Sequence, residues 1–198
     1  MYDDEFELTF DLSDEDEASR APEPEQEPVQ EAAPEPAAET EPPVEPVPGP
    51  AVPAANGRCV LISGGDRGIG AAAARAFWQA GYRVAVLYHT HAEAAAALEK
   101  ALPGLLAVQC DVASRASCEV AFHTVEQAVG HVDVLVSNAG IAQQKLFTDI
   151  TPEEWQHMLD VNLSGAFHLC QLALPGMIRR KAGRILTVSS MWGQTGGS

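Results

Sequence analysis

The sequence predicts an α/β fold, a doubly wound parallel sheet, on three observations. Beyond residue 57, short continuous apolar runs alternate with helix-forming stretches, the pattern of strands buried on both faces. The first run opens into a glycine-rich turn, Ser63-Gly64-Gly65-Asp66-Arg67-Gly68-Ile69-Gly70. Parallel strands are joined by right-handed helical crossovers, so such a chain builds one sheet with helices on both sides.

Each element has a local reason. Cys59-Val60-Leu61-Ile62 is a buried strand bounded by Gly57 and the glycine turn, and Ala71 to Ala80 is a helix that Gly81 ends. Val84 to Tyr88 is the second strand, and the alanine-rich stretch Ala92–Leu102 is a helix stopped by Pro103-Gly104. Leu105 to Val108 is the third strand, running out at Asp111-Val112; Ser114, as N-cap, opens a helix to Val129 that Gly130 closes. Val132 to Val136 is the fourth strand. A long helix runs from about Pro152, at its first turn, towards Arg179-Arg180, and Ile185 to Val188 is the fifth strand. This order predicts a Rossmann-type sheet, incomplete at the C-terminus.

Composition divides the chain in two. Residues 1–56 hold 17 of the 28 acidic residues, one of the 12 basic residues and 11 of the 14 prolines. They carry the whole net charge of −16, while residues 57–198 balance 11 acids against 11 bases. A Pro/Glu/Ala segment buries too little apolar surface to offset its ordering entropy, so residues 1–56 are expected to be a disordered tail on a domain of residues 57–198. Phe6, Leu8, Phe10 and Leu12 alternate with acids there, a short docking motif or a solvated spacer. The acidic tail and neutral domain argue against nucleic acid. No apolar run approaches bilayer length, which argues against a membrane role. Four scattered cysteines (Cys59, Cys110, Cys118, Cys170) fit reduced core residues of a cytoplasmic protein and suggest no metal site.

Functional residues gather after the strands, because parallel strands aim their carboxyl ends at one edge. In Gly64-x-x-x-Gly68-x-Gly70 the glycines let the backbone turn and approach a pyrophosphate, which the N-terminus of the following helix would meet. The segment after the second strand, Tyr88-His89-Thr90-His91, has no acid before Glu93 to accept from a ribose 2′-hydroxyl. Arg67 offers a fixed charge for a 2′-phosphate, which favours NADP(H) over NAD(H). His89 and His91 read as solvated loop residues, with His89 able to donate to that phosphate.

These motifs, with Asp111-Val112, Asn138-Ala139-Gly140 and the pair Ser189-Ser190 after the fifth strand, resemble the short-chain dehydrogenase/reductase family over residues 57–198. Within it the loops look most like 3-oxoacyl carrier-protein reductases of bacterial fatty acid synthesis. The resemblance implies that Gly64, Gly65, Asp66, Arg67, Gly68, Ile69, Gly70 and His89 border the cofactor. It also implies that Asp111 accepts from the adenine amino group while Val112 packs on the ring, and that Asn138, Ala139 and Gly140 leave room for the nicotinamide ribose. Ser190 would hold the substrate oxygen, and Asn162 would organise a water chain from the fourth helix. The family's general acid is a Tyr one helical turn before a Lys. None of Tyr2, Tyr82 and Tyr88 has a Lys at that spacing. The chain is therefore expected to be a fragment without its general acid, inactive as it stands. The implied activity is NADPH-dependent reduction of a ketone or 3-oxoacyl thioester, on acyl carrier protein or free, by a homo-oligomer. A non-catalytic dinucleotide-binding or interaction module is the other reading.

Overall fold

The computed structural model describes residues 55–190. The tail motif at Phe6–Leu12 and the loop from Met191 onward lie outside them.

Five strands, β1 (Cys59–Ser63), β2 (Arg83–Tyr88), β3 (Leu106–Gln109), β4 (Val134–Ser137) and β5 (Arg184–Thr187), form one sheet in the order β3-β2-β1-β4-β5. All pairings are parallel. Side chains alternate across the sheet, so each strand feeds two cores. Leu61, Ala85, Leu87 and Leu135 point to the face covered by α3 (Arg115–Val129) and α5 (Gly165–Arg180), where Phe122, Val125, Leu169 and Met177 meet them. Val60, Ile62, Val84, Val86, Val134 and Val136 point to the other face, against α1 (Gly68–Gln79) and α2 (Ala92–Ala101), with Ala74, Trp78 and Leu98. That two-sided demand is why the strands read as continuous apolar runs.

Polar contacts fix the joints. The Trp78 indole donates to the Pro103 carbonyl at 3.0 Å, tying α1 to the turn after α2. Glu99 accepts the Ala107 backbone N–H at 2.8 Å, satisfying a donor of edge strand β3. The Arg115 guanidinium donates to Glu119 at 2.7 Å and to Gln171 at 2.6 Å, docking α3 on α5.

The expected single helix from Pro152 is interrupted. An α-helical segment, α4 (Pro152–Leu159), passes into a π turn over Asp160–Ser164 before α5 begins. The sequence has no proline or glycine before Gly165 to announce the change, and the reason is tertiary: Asn162, within the turn, is bound to another loop. The start of α4 is better specified than expected. Thr151 accepts the Glu154 N–H and Glu154 accepts the Thr151 N–H, a complete capping box with Pro152 in the first turn.

Candidate active site

The connection from β1 runs to β2 on one side, whereas that from β3 crosses to β4 on the other, so a crevice opens at the carboxyl ends of β1 and β4. A cavity of about 350 Å³ occupies it. Gly64, Asp66, Arg67, Gly68 and Ile69 line it from the first loop, His89, Thr90 and His91 from the second, Asp111 and Val112 from the third, and Asn138, Ala139 and Gly140 from the fourth.

The glycine turn carries two left-handed residues, Gly64 at φ 60° and Gly68 at φ 51°, which a side chain would strain. A Cβ on Gly64 would also stand 3.0 Å from the Ala139 Cα. Gly65 and Gly70 do not line the cavity. A Cβ on Gly65 would meet Val86 at 2.6 Å, and one on Gly70 would collide with the Gly64 carbonyl, so these two let the loop pack on β2 and on itself.

Ser63 and Asn138 lock β1 to β4 beneath the cavity. The buried Ser63 hydroxyl accepts the Asn138 and Ala139 backbone N–H groups, each at 3.0 Å. The Asn138 side-chain amide donates to the Ser63 and Gly64 carbonyls, again at 3.0 Å each. The sequence showed the residue types here but not that Asn138 clasps the glycine turn.

Asp111 accepts the Ala113 N–H through Oδ1 at 3.0 Å, a turn contact that leaves Oδ2 for a ligand. Its own N–H donates to the Ser117 hydroxyl at 3.0 Å. His168 donates from Nδ1 to the Val112 carbonyl at 3.1 Å, which anchors this loop to α5.

At the mouth His91 is an exposed residue that also makes two contacts. It lies between two loops, with Nε2 3.5 Å from the Arg67 guanidinium and Nδ1 3.5 Å from Asp66 Oδ2. Asp66 is 9 % exposed and its Oδ2 is buried without a hydrogen bond; 3.5 Å is an ion-pair distance once His91 is protonated, and too long for a neutral hydrogen bond. Asp66 of the glycine turn thus faces His91 after β2, a contact between residues 25 apart with no signal in the sequence. His89 lines the cavity, with its carbonyl accepting from Gln109. His157, from α4, and Ile141 line it too, and no sequence signal marked them.

The Asn162 side chain accepts the Ile141 N–H at 2.8 Å and donates to the Ile141 carbonyl at 3.0 Å. It therefore pins the loop after β4 to the π turn. Ser190 follows the carboxyl end of β5, next to β4, whose Ser137 carbonyl accepts the Val188 N–H at 2.9 Å. Neither Asn162 nor Ser190 lines the cavity itself. The left-handed glycines and the N-terminus of α1 suit this crevice to a phosphate-bearing dinucleotide.

Residues 58–198 match a protein-family model described as short chain dehydrogenase. The acetoacetyl-CoA reductase of Shinella zoogloeoides is 40% identical over 139 residues, covering 70% of this chain and 57% of that protein. The 3-oxoacyl-(acyl-carrier-protein) reductase of Mycobacterium avium is 40% identical over 144 residues, covering 71% of this chain and 53% of that protein. An uncharacterized short-chain type dehydrogenase/reductase of Sinorhizobium fredii is 38% identical over 148 residues, covering 71% and 58%. The chain spans a little over half the length of these relatives.

Proposed function

The chain belongs to the short chain dehydrogenase family, and from that premise we propose that the whole protein is an NADPH-dependent reductase of 3-oxoacyl thioesters. The observation that carries the proposal is the convergence of four strand-end loops on one cavity at the switch point of the sheet. The relatives named for acetoacetyl-CoA and for 3-oxoacyl-(acyl-carrier-protein) support the substrate class, a 3-oxoacyl group on coenzyme A or on a carrier protein.

In this reading the backbone of Gly64–Gly68 and the N-terminus of α1 take the pyrophosphate. Arg67, with His91 beside it, meets the 2′-phosphate, and Asp66 stands against His91. Asp111 Oδ2 accepts from the adenine amino group and Val112 packs on its ring. Ala139 and Gly140 leave space for the nicotinamide ribose. The bound dinucleotide supplies the reducing equivalent to the carbonyl carbon. Ser190 donates to the carbonyl oxygen and fixes its position, and Asn162 holds the Ile141 loop still, so its side chain is a positioning group.

Residues 1–198 contain no Tyr with Lys four residues later, the pair that the family uses for the proton. A polypeptide of these residues alone is therefore expected to bind dinucleotide weakly and not turn over, since loss of a general acid costs about 10²–10⁴-fold. The test is NADPH consumption by the full-length protein with acetoacetyl-CoA. Turnover that Ser190→Ala abolishes supports the reading; dinucleotide binding with no turnover on any 3-oxoacyl thioester favours a binding module instead.

Leu163, Phe167, Leu174 and Ile178 follow one another along one side of the helix at spacings of four, seven and four residues, and all are exposed. We assign this stripe to contact between copies, in keeping with a homo-oligomer. No helix among the described residues is long and apolar enough to cross a membrane.

A further inference from the structure

We propose that Cys110 and Cys118 are a reversible redox pair, a disulfide-forming site at the floor of the cavity whose oxidation loosens the hold on the dinucleotide. The second half rests on the cavity's reading as a dinucleotide site; the first does not. Cys110 follows β3 directly and Cys118 lies in the first turns of α3, and their sulfurs are 4.0 Å apart. A disulfide needs about 2 Å, a gap that side-chain rotation and a small shift of the intervening turn can close. Both side chains are buried, but Cys110 lines the cavity, which gives a small oxidant a route to it.

The two thiols are not equivalent. The Cys110 thiol donates to the Cys118 sulfur, and the Cys110 sulfur itself accepts from the Ser117 hydroxyl at 3.8 Å. The Cys118 contact, helped by Ser117, holds the Cys110 thiol below its ordinary range although burial opposes it. The same contact pushes Cys118 up, and burial adds to the shift. Cys110, which faces the cavity and accepts from Ser117, is therefore the attacking sulfur and Cys118 the resolving thiol. The remaining cysteines are poorer targets: burial raises the Cys59 thiol to about 11 and also raises that of Cys170.

With a peroxide as oxidant the step balances. The Cys110 thiolate attacks one peroxide oxygen, the O–O bond breaks, and sulfenic acid forms as the first water leaves. The Cys118 sulfur gives up its proton and attacks the sulfenic sulfur; the S–O bond breaks and the second water leaves. Two thiols lose two electrons and the peroxide becomes two waters.

The new bond would act on the neighbouring ligand groups. Ser117 now accepts the Asp111 N–H while touching Cys110, and the Cys118 thiol donates to the Val112 carbonyl at 3.5 Å. Drawing Cys110 onto α3 disrupts both contacts and displaces Asp111 and Val112. By linkage, a bond that weakens the ligand is itself disfavoured by bound ligand.

The experiment is peptide mapping of the full-length protein after hydrogen peroxide and alkylation. Arg115 lies between the two cysteines, so after trypsin their peptides stay together only through the bond. The expected result is a joined Cys110–Cys118 peptide pair that dithiothreitol separates, with Cys59 and Cys170 alkylated. Ser117→Ala should slow its formation, and NADPH should protect against it. Sulfinic acid on Cys110 without a joined pair, or another pairing formed first, would overturn the site, and neither result depends on a variant folding. In the binding arm, NADPH affinity of the joined protein should fall by roughly 5- to 150-fold. Unchanged affinity would overturn the regulatory half. Failure of the reduced protein to bind any dinucleotide would instead overturn the reading of the cavity.

Discussion

At Ser63 a single hydroxyl accepts two backbone N–H groups and so joins the ends of β1 and β4 under the cavity. Ser63→Ala leaves both donors without a partner in a buried place, at about 1–3 kcal/mol for each unsatisfied group. A thermal melt should show a fall of several degrees, at roughly 2–4 °C per kcal/mol for a chain of this size, whereas Ser63→Thr, which keeps the hydroxyl, should melt close to the parent. Arg67 tests the mouth. If its guanidinium meets the 2′-phosphate, Arg67→Ala removes a charge-assisted bond of about 1.5–3 kcal/mol for NADPH and little for NADH, roughly 10- to 150-fold by titration of intrinsic fluorescence. Equal losses for both would make Arg67 a turn residue. The identity of Arg67 was plain in the sequence; its contact with His91, and the Asp66 carboxylate beneath, depend on two loops meeting.

At the scale of elements, the capping box at α4 and the π turn after it differ in how far local sequence decides them. Thr151, Pro152 and Glu154 are three local choices that agree, and Thr151→Ala should cost about 0.5–2 kcal/mol in a thermal melt. Glu154 is further held by Lys145, whose ammonium lies 2.9 and 2.8 Å from its two oxygens. That contact first, then the Thr151 N–H, keeps the Glu154 carboxyl below its ordinary 4.5. A depressed carboxyl contributes stability that is present above the unfolded-state value and is lost as pH falls through the folded-state one. Melting temperature should therefore drop on acidification below about 4.5, and by less in Lys145→Met; an equal acid response in both proteins would dissociate Glu154 from this effect. The π turn has no such local code. Asn162 is bound at two points to Ile141, 21 residues away, and the backbone accommodates that contact by adding a residue to one turn.

For the whole molecule, two expectations follow from the division of charge and from the exposed stripe. Deleting residues 1–54 should leave the melting temperature of the remainder unchanged, because the cores among the described residues are closed by the sheet and its helices; a clear loss on deletion would give the acidic segment a structural role. Phe167→Glu should lower the oligomeric state seen by light scattering, and an unchanged state would free the stripe from that assignment. Apolar runs, glycine positions and caps were enough to give the order of strands and helices, the parallel doubly wound sheet and the edge where the loops meet, because each rests on local periodicity and on the fixed hand of crossovers. Arg67, Asp111 and the Asn138–Gly140 segment were legible for the same reason, standing at strand ends that must converge. Only the tertiary structure decided that Asn138 clasps the glycine turn, that Asp66 faces His91 across two loops, that Asn162 in its π turn holds the Ile141 loop, and that Cys110 and Cys118 touch. Each of these is a side-chain contact between segments apart in sequence, set by the distance between packed elements, which no single segment encodes.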